Sequence, residues 1–359
     1  MKIGIIHGFV GGGGGTESTL LAIIEALTEQ NFPVCLYTVS KPSISISGIK
    51  IKSVLPFNFP FFGLYQRYME SKLVENAKDD DLLIQASGGI ASPLPNQQII
   101  IYCHHDFQNE TEKTVTKYKG IWSLYYGIYY KMSKRFFEQI KNNNIHLIAN
   151  SRFTHESIKR KFGKDSAIIY PPVDLGAFTS SNKKEKKVIT ISRFSQEKNL
   201  EFAVNTIDEL DTNYTIVGNT KTRINEIYYE NLSTKIKNYK QNARILLLKN
   251  IDRDKVIQNL MNTKVYFHAS PETFGISVIE SIAAGCIPIV PDNSAHKETV
   301  PIKELRYDPN DVNDAREKIK KALAGDYDDY TKPLQSSLNM YSKDTFKKSI
   351  IDYIEKLKL

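Results

Sequence analysis

The sequence predicts an α/β protein built from two Rossmann-like, doubly wound domains of similar size. Three observations support this prediction. Short apolar runs alternate with helical patterns from the first residue, the alternation stops over residues 176–187, and it restarts at Val188. Buried strands separated by helices indicate a mostly parallel sheet, and 359 residues at about 150 per domain suit two such sheets.

The first domain is predicted to span residues 1–175. It opens with the apolar strand Lys2–His7, and apolar residues between positions 20 and 27 then recur at helical spacing. The further strands predicted in this domain are Pro33–Val39, Asp81–Ala86, Gln98–Tyr102, His146–Asn150 and Ala167–Tyr170. Their largely apolar character is typical of strands buried in a parallel sheet.

Residues 176–187 are small, polar and charged, which predicts a linker. The second domain, 188–342, is predicted to contain the strands Val188–Ser192, Tyr214–Val217, Ile245–Leu248, Val265–His268 and Ile287–Val290. Residues 343–359 form a helix with a wide apolar face, which we expect to pack back on the first domain. Because ligands of doubly wound sheets bind outside the carboxyl ends of the strands, we expect an active cleft between the two domains.

Composition and charge exclude several classes of protein. No apolar run reaches the roughly 18 residues that a membrane span needs, and the apolar start of the chain is too short for a signal peptide. The formal net charge of +8 excludes an acidic disordered protein. Three scattered cysteines form neither a disulfide framework nor a zinc site, so we expect a cytoplasmic protein.

The strongest functional motif is the segment 270–285, which follows a predicted strand and opens a helix. Gly275 lets an anionic group approach the free N–H groups at the start of the helix. Glu280 lies one turn after Ile276, where a carboxylate can bind both hydroxyls of a ribose. Glu272 precedes the helix and can face a sugar. Two isolated glutamates are usually surface charges, but the surrounding Pro-x-x-Phe-Gly and Ala-Ala-Gly residues favour a binding site.

A second motif places Arg193 and Lys198 directly after the strand predicted to begin at Val188. The carboxyl end of a strand is where ligands bind in doubly wound sheets. Two cations directed at one place suit a diphosphate, with Arg193 as a planar fork and Lys198 as a point charge. The alternative is a pair of solvated surface cations.

The glycine run Gly11–Gly15 lies between the first strand and the first helix. It is not a Walker loop because no Gly-Lys-Ser/Thr follows, and its match to a dinucleotide fingerprint is weak. Gly14 and Gly15 would let the backbone approach a ligand closely, although a flexible turn is the alternative.

His104 and His105 follow another predicted strand, and we expect at least one to lie in the cleft, since two histidines without further ligands make a poor metal site.

These motifs, in this order, resemble those of family 4 retaining glycosyltransferases of GT-B fold. The resemblance covers almost the whole chain and is most specific in its C-terminal half. Within the family, the Tyr-Cys-His of 102–104 and the Tyr-Pro-Pro-Val-Asp of 170–174 are most similar to mannosyltransferases of lipid-linked (dolichol-type) oligosaccharide assembly. Two departures leave the nucleotide and sugar open. Asn219 and Thr220 replace part of a Gly-x-Gly, and 294–298 lacks a common Gly-Gly pair.

The resemblance implies roles for two groups of residues. The catalytic group acts on the donor diphosphate and the transferred sugar: Arg193, Lys198, Glu272 and His104. The donor-binding group surrounds the nucleotide and its phosphates: Gly14, Gly15, Phe274, Gly275, Ile276 and Glu280. No carboxylate is implied as a covalent nucleophile. The implied mechanism is attack on the face that the leaving group departs from, with the leaving phosphate helping to take the acceptor proton.

The implied activity is retaining transfer of a sugar, with mannose from GDP-mannose favoured, to a polyprenyl- or dolichyl-diphosphate-linked glycan. The nucleotide-sugar is a substrate, and no cofactor or metal is expected, because Asp79–Asp81 precede a strand and Asp326–Asp329 lie in a late polar loop. One alternative is a UDP-sugar donor with a polysaccharide or soluble acceptor. Another is a GT-B sugar-nucleotide epimerase, which would need a convergent acid/base set.

The segment 113–164 carries twelve Lys and Arg but only two acidic residues, with aromatic residues interleaved. This mixture suits the headgroup level of an anionic membrane. We therefore expect membrane or acceptor contact on the cytosolic face of a membrane through Trp122, Lys131, Lys134 and Arg135. A partly buried helix with a solvated basic face is the first alternative. A single-stranded nucleic-acid site is the second, and we do not favour it.

Overall fold

Two compact units make up the described part of the chain. The computed structural model describes residues 1–11, 13–57, 63–87, 94, 97–106, 138–178 and 184–357. The first unit comprises Met1–Pro172 together with Lys343–Leu359, and the second comprises Val173–Ser342. The first unit ends slightly before the predicted position 175, because the Val173 N–H donates to the Tyr341 carbonyl at 2.9 Å, inside the second unit.

In the described ranges of the first unit, seven parallel strands form the central sheet. They are β1 (Ile3–Ile6), β2 (Val34–Ser40), β3 (Lys50–Leu55), β4 (Leu82–Gln85), β5 (Gln98–Cys103), β6 (Ile145–Ala149) and β7 (Ala167–Ile168). Their order across the sheet is β3-β2-β1-β4-β5-β6-β7. The predicted strands do not include β3, because this edge strand is mostly exposed and has no buried apolar run to mark it.

Helices pack on both faces of this sheet. Within the described residues they include α1 (Gly15–Glu29), α2 (Gly63–Asn76) and α3 (Arg152–Phe162). Leu73 of α2 and Ile158 of α3 belong to the core on one face. Leu20 and Ile23 of α1 belong to the core on the other face. Because both faces are covered, the inner strands β1, β2 and β4 are buried along their whole length, as the predicted doubly wound domain requires.

The second unit has the same architecture. Its described residues form a parallel six-stranded sheet with the order β10-β9-β8-β11-β12-β13. The strands are β8 (Glu185–Ile191), β9 (Tyr214–Gly218), β10 (Ile245–Lys249), β11 (Thr263–Phe267), β12 (Ile287–Pro291) and β13 (Arg306–Tyr307). The helices are α4 (Leu200–Ile207), α5 (Arg223–Ile236), α6 (Arg253–Asn262), α7 (Ile276–Ala283), α8 (His296–Thr299), α9 (Val312–Ala324) and α10 (Thr331–Ser336). No helix within the described residues has both the length and the apolarity needed to cross a membrane.

Strand β8 shows that the predicted linker, 176–187, ends too late. Glu185, Lys186 and Lys187 form the amino-terminal end of β8, and Glu185 pairs with Thr263 of β11. These three side chains are exposed or half-buried, so their charges remain solvated while the backbone joins the sheet. Because these residues are charged, the sequence did not predict that they begin a central strand.

The last helix, α11 (Lys343–Lys356), returns to the first unit. Its apolar face joins the core that contains α1, through the buried side chains of Phe346, Ile350 and Ile354. At the edge of this contact, Lys347 Nζ lies 2.7 Å from Glu29 Oε1. The wide apolar face of the C-terminal segment is thus buried against the first unit.

Candidate functional site

The carboxyl ends of β8 and β11 bring two of the predicted site residues into contact. Lys198 lies in a short 3₁₀ turn after β8, and Glu272 lies in the loop after β11. Lys198 Nζ is 2.5 Å from Glu272 Oε1, although 74 positions separate the two residues. β8 and β11 are neighbours in the sheet, and parallel neighbours end at the same edge. Sheet topology therefore produces this ion pair.

The Glu272 carboxylate is largely buried and ionised. His268 Nε2 lies 3.0 Å from the same oxygen, Oε1, that contacts Lys198. Burial alone would raise the pKa of Glu272, but the His268 hydrogen bond and the Lys198 charge hold it well below its usual range. Among the described residues, no hydrogen bond reaches Oε2. One carboxylate oxygen is therefore engaged by the protein and the other remains available to a ligand.

A buried polar network lies behind this carboxylate. His268 is 2% exposed, and its Nδ1 lies 3.0 Å from the Tyr266 hydroxyl. The same hydroxyl is 2.8 Å from Ser277 Oγ at the start of α7, and Ser270 Oγ lies 3.2 Å from His268 Nε2. Sequence reasoning missed this network. The available signal was a histidine at the end of a predicted strand, four residues before Glu272.

The segment 294–298, one of the two departures from the family pattern, fastens the Glu272 loop. Glu272 N–H donates to Ser294 Oγ at 3.1 Å, and Ala295 N–H donates to the Glu272 carbonyl at 3.1 Å. His296 Nε2 lies 3.0 Å from the Ser270 carbonyl. Burial, aided by nearby His268, lowers the pKa of His296 to about 3, so His296 is neutral and structural here.

Helix α7 begins beside this loop with a glycine at its N-cap. Gly275 has φ 92°, a left-handed conformation that residues with a Cβ adopt at a cost, and Ile276 is the first helical residue. Phe274 is buried, with its ring centroid 5.5 Å from that of Tyr341. The first N–H groups of a helix have no acceptor within the helix, so this end favours an anion.

Glu280 lies one turn into α7 and forms a bidentate ion pair that sequence reasoning did not predict. Arg253, the first residue of α6, places Nη2 2.5 Å from Glu280 Oε1 and Nη1 3.2 Å from Oε2. Glu280 is only 8% exposed, whereas the Arg253 side chain is about half-exposed. A ribose that binds this carboxylate must therefore share its oxygens with Arg253 or displace it.

Arg193 does not join the Lys198–Glu272 pair. Its Nη2 lies 3.3 Å from Glu197 Oε1, and both side chains of this pair are more than half exposed. An exposed ion pair of this kind contributes little to stability, so Arg193 can leave Glu197 at small cost. The structure therefore brings one of the two predicted cations to the glutamate and leaves the other at the surface.

The loop after β9 holds the second departure from the family pattern. A Cβ on Gly218 would lie 2.0 Å from the Ser192 carbonyl oxygen, so this glycine is required by the close approach of the β8 and β9 ends. Asn219 and Thr220 follow, and Asn250 pins the loop through hydrogen bonds of 3.0 Å to the Thr220 N–H and 2.9 Å to its hydroxyl. Hydrogen bonds from Asn250 thus fix this loop at the place where the family pattern often has a second glycine.

In the first unit, the described glycines of the run that precede α1 adopt left-handed backbone conformations. Positive φ angles occur at Gly11 (123°), Gly13 (63°) and Gly14 (126°). Glu17, in the first turn of α1, accepts hydrogen bonds at Oε2 from the N–H groups of Gly13 at 2.8 Å and Gly11 at 3.1 Å. Gly14 is the N-cap and Gly15 the first residue of α1. The loop therefore presents converging backbone donors that hold an anionic group.

His104 is partly buried at the end of β5, and His105 is exposed. His104 Nε2 lies 3.1 Å from the Ala86 carbonyl, and burial lowers the pKa of His104 to about 3. Burial also lowers the pKa of His7, at the end of β1, to about 4. Both imidazoles are therefore neutral at physiological pH.

The residues predicted to contact a membrane or acceptor lie outside the described residues: Trp122, Lys131, Lys134 and Arg135.

The acidic clusters serve other contacts in the structure. Lys2 Nζ lies 2.6 Å from Asp80 Oδ1, and the Lys2 N–H donates to Asp81 at 2.6 Å, at the amino end of the first sheet. Asp328 pairs with Lys264 Nζ at 3.0 Å. Within the described ranges, no group of three or more His, Cys, Asp or Glu side chains is placed to hold a metal ion.

Two family models match the chain in succession. The model described as Glycosyltransferase Family 4 matches residues 13–177, and the model described as Glycosyl transferases group 1 matches residues 177–343. A GDP-Man:Man(3)GlcNAc(2)-PP-Dol alpha-1,2-mannosyltransferase from Dictyostelium discoideum is 25% identical over 281 residues. That match covers 70% of this chain but only 55% of the relative, so the chain aligns with about half of that protein.

Solved structures with the same fold cover nearly the whole chain. Sucrose-phosphate synthase from Thermosynechococcus elongatus has a TM-score of 0.79 and 16% identity, covering 99% of this chain and 98% of its own. HepE of Anabaena, solved in complex with UDP, has a TM-score of 0.74 and 16% identity, covering 99% and 100%. At this identity, the similarity shows the fold alone.

Proposed function

The chain belongs to glycosyltransferase family 4 and has the GT-B fold, and from this we propose that it transfers a hexose from a nucleotide-diphospho-sugar with retention of anomeric configuration. The nucleotide-sugar is a substrate in this proposal, and the reaction uses no metal or other cofactor. The observation that supports the donor assignment best is the Lys198–Glu272 ion pair beside the glycine-capped start of α7.

In this proposal the donor site consists of Arg193, Lys198, Glu272, Glu280 and the backbone of 274–276. Lys198 and Arg193 hold the diphosphate, and the N–H groups at the start of α7 bind its oxygens. Glu272 binds the transferred sugar through Oε2, and Glu280 binds the ribose. The contacts support this division, because a cation and an ionised carboxylate are paired at one sheet edge, and α7 begins shortly after that carboxylate.

The first unit contributes neutral groups and backbone donors. The family resemblance assigns Gly14 and Gly15 to donor binding and His104 to the transferred sugar, and we keep both assignments in the proposal. A neutral imidazole can accept or donate a hydrogen bond to a hydroxyl without attracting the diphosphate, which suits a sugar contact. These assignments follow the family pattern.

The chemistry proposed depends on stabilising a leaving group. Negative charge develops on the phosphate oxygen as the bond to the sugar breaks, and the Lys198 ammonium is the cation that stabilises it once it turns from Glu272 to the diphosphate. The acceptor hydroxyl attacks on the same face, and its proton passes to the leaving phosphate. Glu272 is paired on Oε1 and ionised, so it orients the sugar and supplies no proton.

Mannose from GDP-mannose is the donor we favour, because the Dictyostelium relative is named for that donor. Incubation with GDP-mannose, UDP-glucose and UDP-N-acetylglucosamine, followed by measurement of the released nucleotide, tests this choice. We expect GDP release from GDP-mannose to dominate and to persist in EDTA. Lys240→Ala, at an exposed lysine paired with Glu209, is the surface control. Dominant UDP release would contradict the donor choice, and reversible loss in EDTA would contradict metal independence.

The acceptor we propose is a polyprenyl- or dolichyl-diphosphate-linked glycan on the cytosolic face of a membrane. The basic and aromatic composition of 113–164 supports it, since each Lys or Arg near an anionic surface contributes about 1 kcal/mol. The protein should pellet with anionic vesicles at low salt and be released at high salt. Charge reversal at Lys131, Lys134 and Arg135 should abolish pelleting. Wild-type protein that ignores such vesicles would favour a soluble acceptor.

A further inference from the structure

His268 is the buried partner of Glu272 that the family pattern does not explain. It lies between the end of β11 and the Glu272 loop and is 2% exposed. Both ring nitrogens lie within hydrogen-bond distance of polar groups: Nε2 is 3.0 Å from Glu272 Oε1, and Nδ1 is 3.0 Å from the Tyr266 hydroxyl. Tyr266 in turn contacts Ser277 of α7 at 2.8 Å. The imidazole therefore links the carboxylate to two secondary-structure elements.

The acceptor at Nε2 determines which tautomer is present. A carboxylate accepts hydrogen bonds and cannot donate them, so His268 Nε2 must carry a proton toward Glu272. In a neutral ring, Nδ1 is then an acceptor that faces the Tyr266 hydroxyl at 3.0 Å, and the single proton of that hydroxyl is shared among Nδ1, Ser277 Oγ at 2.8 Å and the Ile191 carbonyl at 3.3 Å. Ser270 Oγ, 3.2 Å from Nε2, is a further neighbour of the same N–H.

Lys198 and His268 differ in what they can do once a donor binds. Lys198 has a long side chain whose ammonium contacts Glu272, and a bound diphosphate would compete with Glu272 for its charge. If Lys198 turns to the diphosphate, Glu272 loses its closest cation. His268 is held by Tyr266 and is enclosed, so it stays on Oε1.

Resting on the proposed glycosyl transfer, we propose that His268 is a positioning residue for the donor site. It retains Glu272 by an Nε2–H···Oε1 hydrogen bond while Lys198 moves to the diphosphate. The carboxylate then keeps its orientation with Oε2 toward the transferred sugar. His268 touches neither donor nor acceptor and acts through Glu272 alone.

Two variants separate positioning from packing. His268→Leu puts an apolar side chain of similar size in place of the imidazole and removes both hydrogen bonds, so kcat should fall by up to about 100-fold, the scale for a misplaced reacting group. The affinity for free GDP should not change. His268→Gln restores an N–H within reach of Oε1 and should recover most of kcat. His146→Leu, at a histidine bonded to Gln98 in the first unit, is the matched control.

The pH profile provides a readout that a packing role would not move. In His268→Leu the acidic limb of kcat should shift to higher pH, because Glu272 loses the hydrogen bond that favours its charged form. A Leu variant with wild-type kcat and an unmoved acidic limb would overturn the proposal. So would a Gln variant as impaired as the Leu variant.

Nitrogen-15 NMR of the His268 ring in the wild-type protein requires neither a folded variant nor turnover. We expect the Nε2–H tautomer, and we expect it to persist when the protein is saturated with GDP. An Nδ1–H tautomer, or loss of the Nε2–H signal on GDP binding, would overturn the retention role. If no nucleotide-sugar is turned over, the proposed function fails on its own, and the tautomer still decides the role of His268.

Discussion

Replacing Lys198 with alanine is expected to lower kcat by about 100-fold or more, the scale for losing one preorganised charge stabiliser. Lys198 is the cation beside Glu272, and in the proposed reaction it neutralises the leaving phosphate. The fold should survive, because Glu272 keeps its His268 hydrogen bond. Steady-state kinetics with the best donor, alongside circular dichroism, measures both effects.

Two further variants sharpen this test. Lys198→Arg keeps the charge but replaces a point charge with a planar fork, so it should recover only part of the activity. Lys240→Ala removes an exposed lysine of the same unit and should leave kcat unchanged. Near-native turnover in Lys198→Ala would contradict the proposal that Lys198 stabilises the leaving diphosphate.

Glu272→Ala and Glu280→Ala are expected to separate transfer from nucleotide binding. Glu272→Ala should lower turnover by roughly 100- to 1,000-fold, as for loss of a group that acts in the transition state. It should not weaken the binding of free nucleotide, because it releases Lys198 from its ion pair with Glu272. Glu280→Ala should weaken the binding of free GDP by about 1.5–3 kcal/mol, the range for hydrogen bonds to a charged group.

Calorimetry with GDP and turnover with the intact donor give the two readouts for each variant. Each variant is the control for the other, since both remove a carboxylate that is bonded to a basic side chain in the same unit. The Arg253 partner left by Glu280→Ala is about half-exposed, so its desolvation cost is small. Equal losses of affinity in both variants would contradict the separate roles.

Most of the sheet could be predicted because buried parallel strands have continuous apolar runs. Ile3–Ile6 and Val34–Ser40 are buried throughout, and the sequence shows this directly. β3 lacks that signal because it is an exposed edge, and β13 lacks it because it consists of Arg306, which is charged and half-buried, and Tyr307. The start of β8 was hidden by Glu185 and its lysine neighbours, whose side chains are solvated.

The candidate site could be predicted only as far as its local motifs extend. Glu272, Gly275 and Glu280 fall within one short segment, so their spacing is visible in sequence. Their partners are not local: Lys198 precedes Glu272 by 74 positions, and Arg253 precedes Glu280 by 27. Strand register decides which cation reaches which carboxylate, and no single segment carries that information.

The return of α11 to the first unit affects the order in which the chain can fold during synthesis. The core around α1 needs Phe346, Ile350 and Ile354, which the ribosome makes only after all of Val173–Ser342. At roughly 5–20 residues per second, this takes on the order of 10–30 s. For that interval part of the apolar face beside α1 is uncovered, while the second unit, contiguous in sequence, can already fold. We therefore expect the second unit to complete its fold first, while the nascent first unit still exposes apolar surface that chaperones can bind.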